Sequence, residues 1–239
     1  MRRFVAFTIL VIMTAFMFSD GVSSDSPAKD AEFTYARIRY HMTRDAVFVR
    51  ETPWHHDYPF SDEIFPTFVK EVTGINAKSD AYQIVDIDSP ELFDFPFAYM
   101  CEPGYLSLNE KDTENFREYL DRGGFVLVDD FRGPRHLDNL IQQMKKVYPD
   151  RDFVHLDISE PIFNSFYKID SLEVAPPYGN MPVEFLGLKD SHGRIQMVIN
   201  YNNDLSEVWE WLDKGELPLS DAALSLKLGV NYLVYAFTH

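Results

Sequence analysis

The chain has 239 residues, 46% of them hydrophobic and 15% aromatic, which excludes a disordered protein and suits one domain with a large buried core. A net charge of −16 repels phosphate backbones and anionic headgroups, so nucleic acid is not an expected partner. The single cysteine, Cys101, excludes an intramolecular disulfide and a Cys-based zinc site.

Arg2 and Arg3 precede an apolar run from Phe4 to Phe18, and a polar stretch, Ser19 to Asp30, follows. This pattern, with the small residues Val22, Ser23 and Ser24, matches a secretory signal peptide cleaved after Ser24. The apolar run is shorter than the roughly 20 residues of a spanning helix. Residues 1–24 therefore read as a signal peptide, 25–31 as a linker and 32–239 as a single α/β domain. The mature chain is expected to lack a membrane span and to be exported, periplasmic or extracellular. An uncleaved anchor is the alternative.

Phe33 to Tyr40 (FTYARIRY) reads as the first strand. His41 to Phe60 fits neither period and is a long loop, where function concentrates. Ser61 caps a helix through about Gly74, with Phe65, Phe68, Val69 and Val72 on one face. Pro66 lies deep in that pattern, so a start near Pro66 is the alternative. Ala81 to Ile87 and Phe97 to Cys101 are the second and third strands. Asn109 caps a helix to Arg122, ended by Gly123-Gly124. Phe125 to Val128 is the fourth strand and stops at Asp129-Asp130, and a helix follows from about Pro134 to Val147.

Phe153 to Leu156 reads as a fifth strand. Residues 157–193 read as loops with short strands around Leu172–Val174 and Val183–Leu188. Arg194 to Tyr201 is a late strand, and a C-terminal helix capped by Ser220 runs almost to His239. Strands alternating with amphipathic helices imply a mainly parallel sheet covered on both faces.

Ligands of open α/β sheets bind beyond the carboxyl ends of the strands. There the sequence places Asp129, Asp130 and Glu102 as candidate catalytic groups, and Trp54, Asp57, Arg132, Asn202, Asn203 and Asp204 as candidate ligand contacts. Asp129 and Asp130 would serve as a base or hold a metal. Equally, one of them caps a helix or pairs with Arg132 or Arg135. His41, His55 and His56 are the candidate metal ligands, without HxH or HxxxH spacing. Cys101 lacks the small neighbours of a nucleophile elbow and reads as a buried, inert thiol. No GxSxG, P-loop, HExxH or GxGxxG is present, so no cofactor is expected.

Several segments together resemble a known family. FTYARIRY, W-x-x-D-Y-P (Trp54, Asp57, Tyr58, Pro59), ELFDFPFAYM and LDRGGFVLVDDF are similar to family 4159 of bacterial domains of unknown function. So are Pro149-Asp150-Arg151, the segment His155 to Phe163, GRI before the late strand, and GVNYLVYAFTH. The resemblance covers about residues 32–239. It implies a flavodoxin-like, class I glutamine amidotransferase-like three-layer sandwich with a mainly parallel sheet, without the amidotransferase Cys, His and Glu. No catalytic residues are assigned in the family.

Export, the missing nucleophile and an aromatic, polar strand-end cluster point to a non-catalytic binding or assembly module of the bacterial cell envelope. Its partner would be a protein or a carbohydrate. The alternative is a hydrolase, metal-dependent or not, with a strand-end Asp as general base.

Overall fold

The apolar runs become strands whose alternate residues serve two different helix layers. The computed structural model describes residues 32–175, 178–210 and 219–239. The expected signal peptide and linker, residues 1–31, lie outside them, and so does the side chain of Ser220. In chain order come β1 (Phe33–Arg39), α1 (Phe60–Thr73), β2 (Ala77–Asp86), β3 (Phe97–Cys101), α2 (Glu110–Asp121) and β4 (Phe125–Phe131). Then follow α3 (Pro134–Val147), β5 (Val154–His155), β6 (Glu184–Lys189), β7 (Ile195–Tyr201), α4 (Leu205–Glu210) and α5 (Leu219–Thr238). Among the described residues seven strands form one sheet in the order β2-β1-β3-β4-β7-β6-β5. The five from β2 to β7 run parallel, and β6 is antiparallel to both β7 and β5.

β3, β4 and β7 are buried along their whole length, as central parallel strands are. Ala98, Met100, Val126 and Val128 pack with Phe116 and Leu120 of α2 and Leu140 and Met144 of α3. Phe97, Tyr99, Phe125 and Leu127 point the other way, onto Phe65 of α1, Trp209 of α4 and Tyr232 of α5. This period of two decides later which way each strand-end side chain faces.

Four expectations are corrected. Helix α1 starts at Phe60 and runs through the buried Pro66, because its first turn is anchored from outside by Arg37, which bonds Ser61 and Asp62. Ser61 is consequently inside the helix and not its cap. Strand β4 continues through Asp129 and Asp130 to Phe131, which pairs with Tyr201. Leu172–Val174 is irregular, with Leu172 and Val174 resting on the core, and α4 arises in a stretch to which the sequence reading assigns no element.

Gly229 of α5 sits where a Cβ would meet Phe65 Cε2 at 2.6 Å and Trp209 Cζ2 at 2.7 Å. Overpacking of about 1–3 kcal/mol outweighs the roughly 1 kcal/mol that Ala gains over Gly in a helix. Gly229→Ala is therefore expected to lower the melting temperature by a few degrees in a circular dichroism melt. An unchanged or raised melt would mean that α5 shifts freely against α1 and α4.

Candidate functional site

Register brings the strand ends level. Cys101 pairs with Asp129, and Phe131 pairs with Tyr201, so Glu102, Asp130 and Asn202 stand on one rim. Tyr40, just past β1, donates its hydroxyl toward the carbonyls of Cys101 and Glu102, at 2.8 and 2.7 Å. The chain reverses its direction of winding between β1 and β3, where crevices form in such sheets.

The rim is conformationally strained. Among the described residues four non-glycine residues have positive φ: Asp57 (58°), Glu102 (42°), Asp130 (53°) and Asn202 (58°). All four belong to this rim. Asp and Asn tolerate the left-handed region, but Glu does not, and such a residue costs on the order of 1–3 kcal/mol. The turn after β3 is thus a tight elbow whose corner is the half-buried Glu102, not the fully buried Cys101. Gly104 completes it, since a Cβ there would meet the His136 ring at 2.3 Å.

Arg37 positions the loop that follows β1. Its guanidinium is fully buried and bonds Asp62 twice, at 2.9 Å from Nε and 2.5 Å from Nη2. The other donor edge reaches the carbonyls of His56 (2.9 Å) and Trp54 (3.3 Å). The loop is thereby held with His56 Nδ1 2.6 Å from Asp130 Oδ2. That hydrogen bond, and then the Asp130 charge, raise His56 to about 10 against the cost of burial.

From Asp130 a chain of polar side chains crosses the rim. Tyr178 donates to Asp130 Oδ1 and lies 2.7 Å from Asp204 Oδ2. Ser206 Oγ lies 3.1 Å from Asp204 Oδ1 and 2.9 Å from Asp57 Oδ2, and receives the Tyr99 hydroxyl at 2.7 Å. The Cys101 thiol is buried 3.4 Å from Asp130 Oδ2, and burial pushes it well up, away from the thiolate. Burial and then Asp204 raise Asp57 to about 7, and burial raises Glu102 to about 7. Asp130 is raised by burial and Asp204, while His56 pulls it back.

Asp129 takes a different role. The alternation of β4 turns it toward α4, where it accepts the backbone N–H groups of Leu205 (2.7 Å) and Ser206 (3.1 Å) and the Asn200 amide (3.2 Å). It anchors the start of α4, while burial, and then Asp204, raise its carboxyl to about 8 against the pull of those backbone N–H groups. Arg132 is exposed and stacks over the Tyr178 ring at 4.1 Å, while Arg135 pairs with Asp45. Asn202 orders two loops by accepting from Gly133 N (2.9 Å) and donating to the Pro182 carbonyl (2.8 Å). Asn203 is buried with its amide nitrogen unpartnered.

The remaining histidines stand apart. His41 bonds Asp112 at the start of α2, 3.0 Å away, and His55 lies against the rings of Trp54 and Tyr58. Trp54 is half-buried against the α2–α3 side of the core, with the Arg39 guanidinium 5.9 Å from its ring. The structure therefore gathers His56, Asp57, Glu102, Asp130, Asn202, Asn203 and Asp204, turns Asp129 inward and leaves His41 and His55 outside.

Donor atoms of His56, Cys101 and Asp130, and of Asp57, Asp130 and Asp204, lie within 4.8 Å of one another. Their close contacts are hydrogen bonds: the Tyr178 hydroxyl fills the gap between Asp130 and Asp204, and His56 spends Nδ1 on Asp130. The arrangement fits proton sharing and hydrogen bonding to a polar ligand better than a coordination shell.

Sequence reasoning missed Tyr178, Ser206, Arg37 and Asp62. Arg37 carried a signal, because an arginine in the middle of an aromatic strand requires a buried acidic partner. Tyr178, in the sequence Pro-Pro-Tyr-Gly, carried none.

Fold and site together define an α/β protein with a mostly parallel sheet and an acidic, strained rim at its carboxyl edge. The chain belongs to the family described as "Domain of unknown function (DUF4159)", whose model matches residues 34–237. No curated protein matches it. Among the described residues no helix is long and apolar enough to cross a membrane.

Proposed function

We propose that this chain is an exported, non-catalytic binding module of the bacterial cell envelope that seats a hydroxyl-rich ligand, a carbohydrate, on the rim formed by β1, β3, β4 and β7. The scaffold reading is flavodoxin-like and class I glutamine amidotransferase-like. Its parallel strands, numbered in order of appearance, read 2-1-3-4-5, which is the flavodoxin-like order. The observation that carries the ligand seat is that, among the described residues, the four left-handed non-glycine residues gather at this one rim, with Glu102 the strained one. Strain of that kind persists where surrounding structure holds side chains for a ligand. Carboxyl groups accept paired sugar hydroxyls, and the half-buried Glu102 stands among them at the elbow after β3. A glycan array and titration calorimetry on the mature protein test this. Wild type is expected to capture a carbohydrate, and Asp130→Asn to weaken capture at least tenfold, or about 1.4 kcal/mol. No capture, or equal capture by the variant, overturns the reading.

A second reading, a hydrolase with Asp130 and His56 moving the proton, is favoured by the 2.6 Å His56–Asp130 bond and by Glu102 standing at about 7, near the optimum for proton transfer. Turnover of glycoside or ester substrates that disappears in Asp130→Asn would replace the non-catalytic reading with this one.

A further inference from the structure

The Tyr178 hydroxyl has one proton and two carboxyl oxygens in front of it, Asp130 Oδ1 and Asp204 Oδ2, the latter at 2.7 Å. A hydroxyl fills one such contact as donor. The other contact needs a proton on the carboxyl, since a bare carboxylate would face the phenol lone pairs. The opposite oxygens are already engaged. Asp130 Oδ2 takes His56 and Cys101, and Asp204 Oδ1 takes the Glu207 backbone N–H at 2.9 Å and Ser206. The oxygens facing Tyr178 are where the extra proton has room.

We infer that Asp130 and Asp204 share one proton through the Tyr178 hydroxyl, which makes Tyr178 a proton-held latch across the ligand seat. The inference rests on the same rim as the proposed function and adds its regulation.

The surrounding charges support retention of that proton. From the β1–α1 loop, Asp57 faces the pair, and Glu51 lies 3.7 Å from His56 Nε2. Glu102 stands at the end of β3, Asp129 lies in β4 beneath, and Glu207 adds charge from α4. Against these stand His56, bonded to Asp130, and Arg132, lying over the Tyr178 ring. Arg37, the nearest cation of β1, is committed to Asp62. Both carboxyls are nearly inaccessible to water, at 3% and 4% exposure, so a pair of negative charges there is poorly solvated. When the shared proton leaves, Tyr178 can satisfy only one of the two carboxyls. The other repels it, and the latch opens toward solvent.

The test is a pH titration of the full mature protein carrying carboxyl-¹³C aspartate, with Asp130 and Asp204 assigned through their own Cβ and backbone resonances. One of the two carboxyls is expected to remain protonated at pH 6.5, more than about 2 pH units above an ordinary aspartate. Asp204→Asn should abolish the high step, and Tyr178→Phe, which removes one oxygen and leaves the ring, should lower its midpoint by at least about one unit. If both wild-type carboxyls are ionised at pH 6.5, the shared proton does not exist and the inference fails, whatever the variants do. Carbohydrate capture with ordinary titration keeps the seat and removes the latch. A retained proton without capture keeps the pair and removes the seat.

Discussion

Arg37→Met is expected to destabilise the fold by about 3–5 kcal/mol, a fall of roughly 10 °C in melting temperature for a domain of this size. The cause is the partner left behind. Asp62 has a fully buried carboxylate whose bonds come from Arg37 and Ser61, and removing the guanidinium leaves an anion without compensation. The same change frees the carbonyls of Trp54 and His56, so the loop no longer delivers His56 to Asp130. Arg37→Lys should recover little, because one ammonium cannot replace a fork that reaches a carboxylate, a hydroxyl and two carbonyls. Arg37→Met combined with Asp62→Leu should recover much of the loss. Denaturant unfolding measures all three, and a single-variant loss below about 1 kcal/mol would show that the ion pair is not what holds the loop.

The second large effect concerns pH. Burial, followed by Asp204, holds Asp57 at about 7 in the folded state, and burial holds Glu102 at about 7, from ordinary values of 3.8 and 4.5. Folded protein therefore binds protons that unfolded chain releases, and stability falls as pH rises from about 4.5 to about 7. His56 acts in the same direction. Its folded value of about 10 exceeds the ordinary 6.5, so its contribution is complete below 6.5 and is lost as pH climbs through 10. On the acid side, Asp86 is held low by its hydrogen bond from Arg39, so that contact weakens only below about pH 4. The melting temperature is expected to peak near pH 4 and to fall by roughly 5 °C at pH 8, equivalent to about 2 kcal/mol. Asp57→Asn should flatten the decline. A maximum at pH 7–8 would show that these carboxyls ionise freely in the folded protein.

Much of the fold was legible because buried strands and amphipathic helices leave periodic traces. FAYMC became β3 from end to end, α3 runs from Pro134 to Val147 as the pattern required, and Asn109 caps α2 through a box with Asp112. The misses have physical causes. Helix α4 has only six residues and depends on Asp129, 76 residues away in sequence from Leu205, for its first turn. No local window contains that contact. Pro66 argued against α1 locally, and a tertiary anchor prevailed. The rim was legible in part, since polar residues after apolar strands fall at one edge of a parallel sheet. Which of two adjacent aspartates faces outward depended on the bend at Val128–Phe131 and the positive φ of Asp130, and neither has a sequence signature. Tyr178 reaches the rim across a non-local path that composition does not reveal.

The Phe65–Trp209 stack, with ring centroids 4.3 Å apart and planes 15° from parallel, joins the helix that Arg37 anchors to the helix that Asp129 starts. The walls bearing His56 on one side and Asp204 on the other are thus bolted to a common beam. Neither can retreat alone without breaking aromatic packing deep inside the molecule. An occupant too large for the gap would have to displace the Tyr178 side chain, whose hydroxyl spans Asp130 and Asp204.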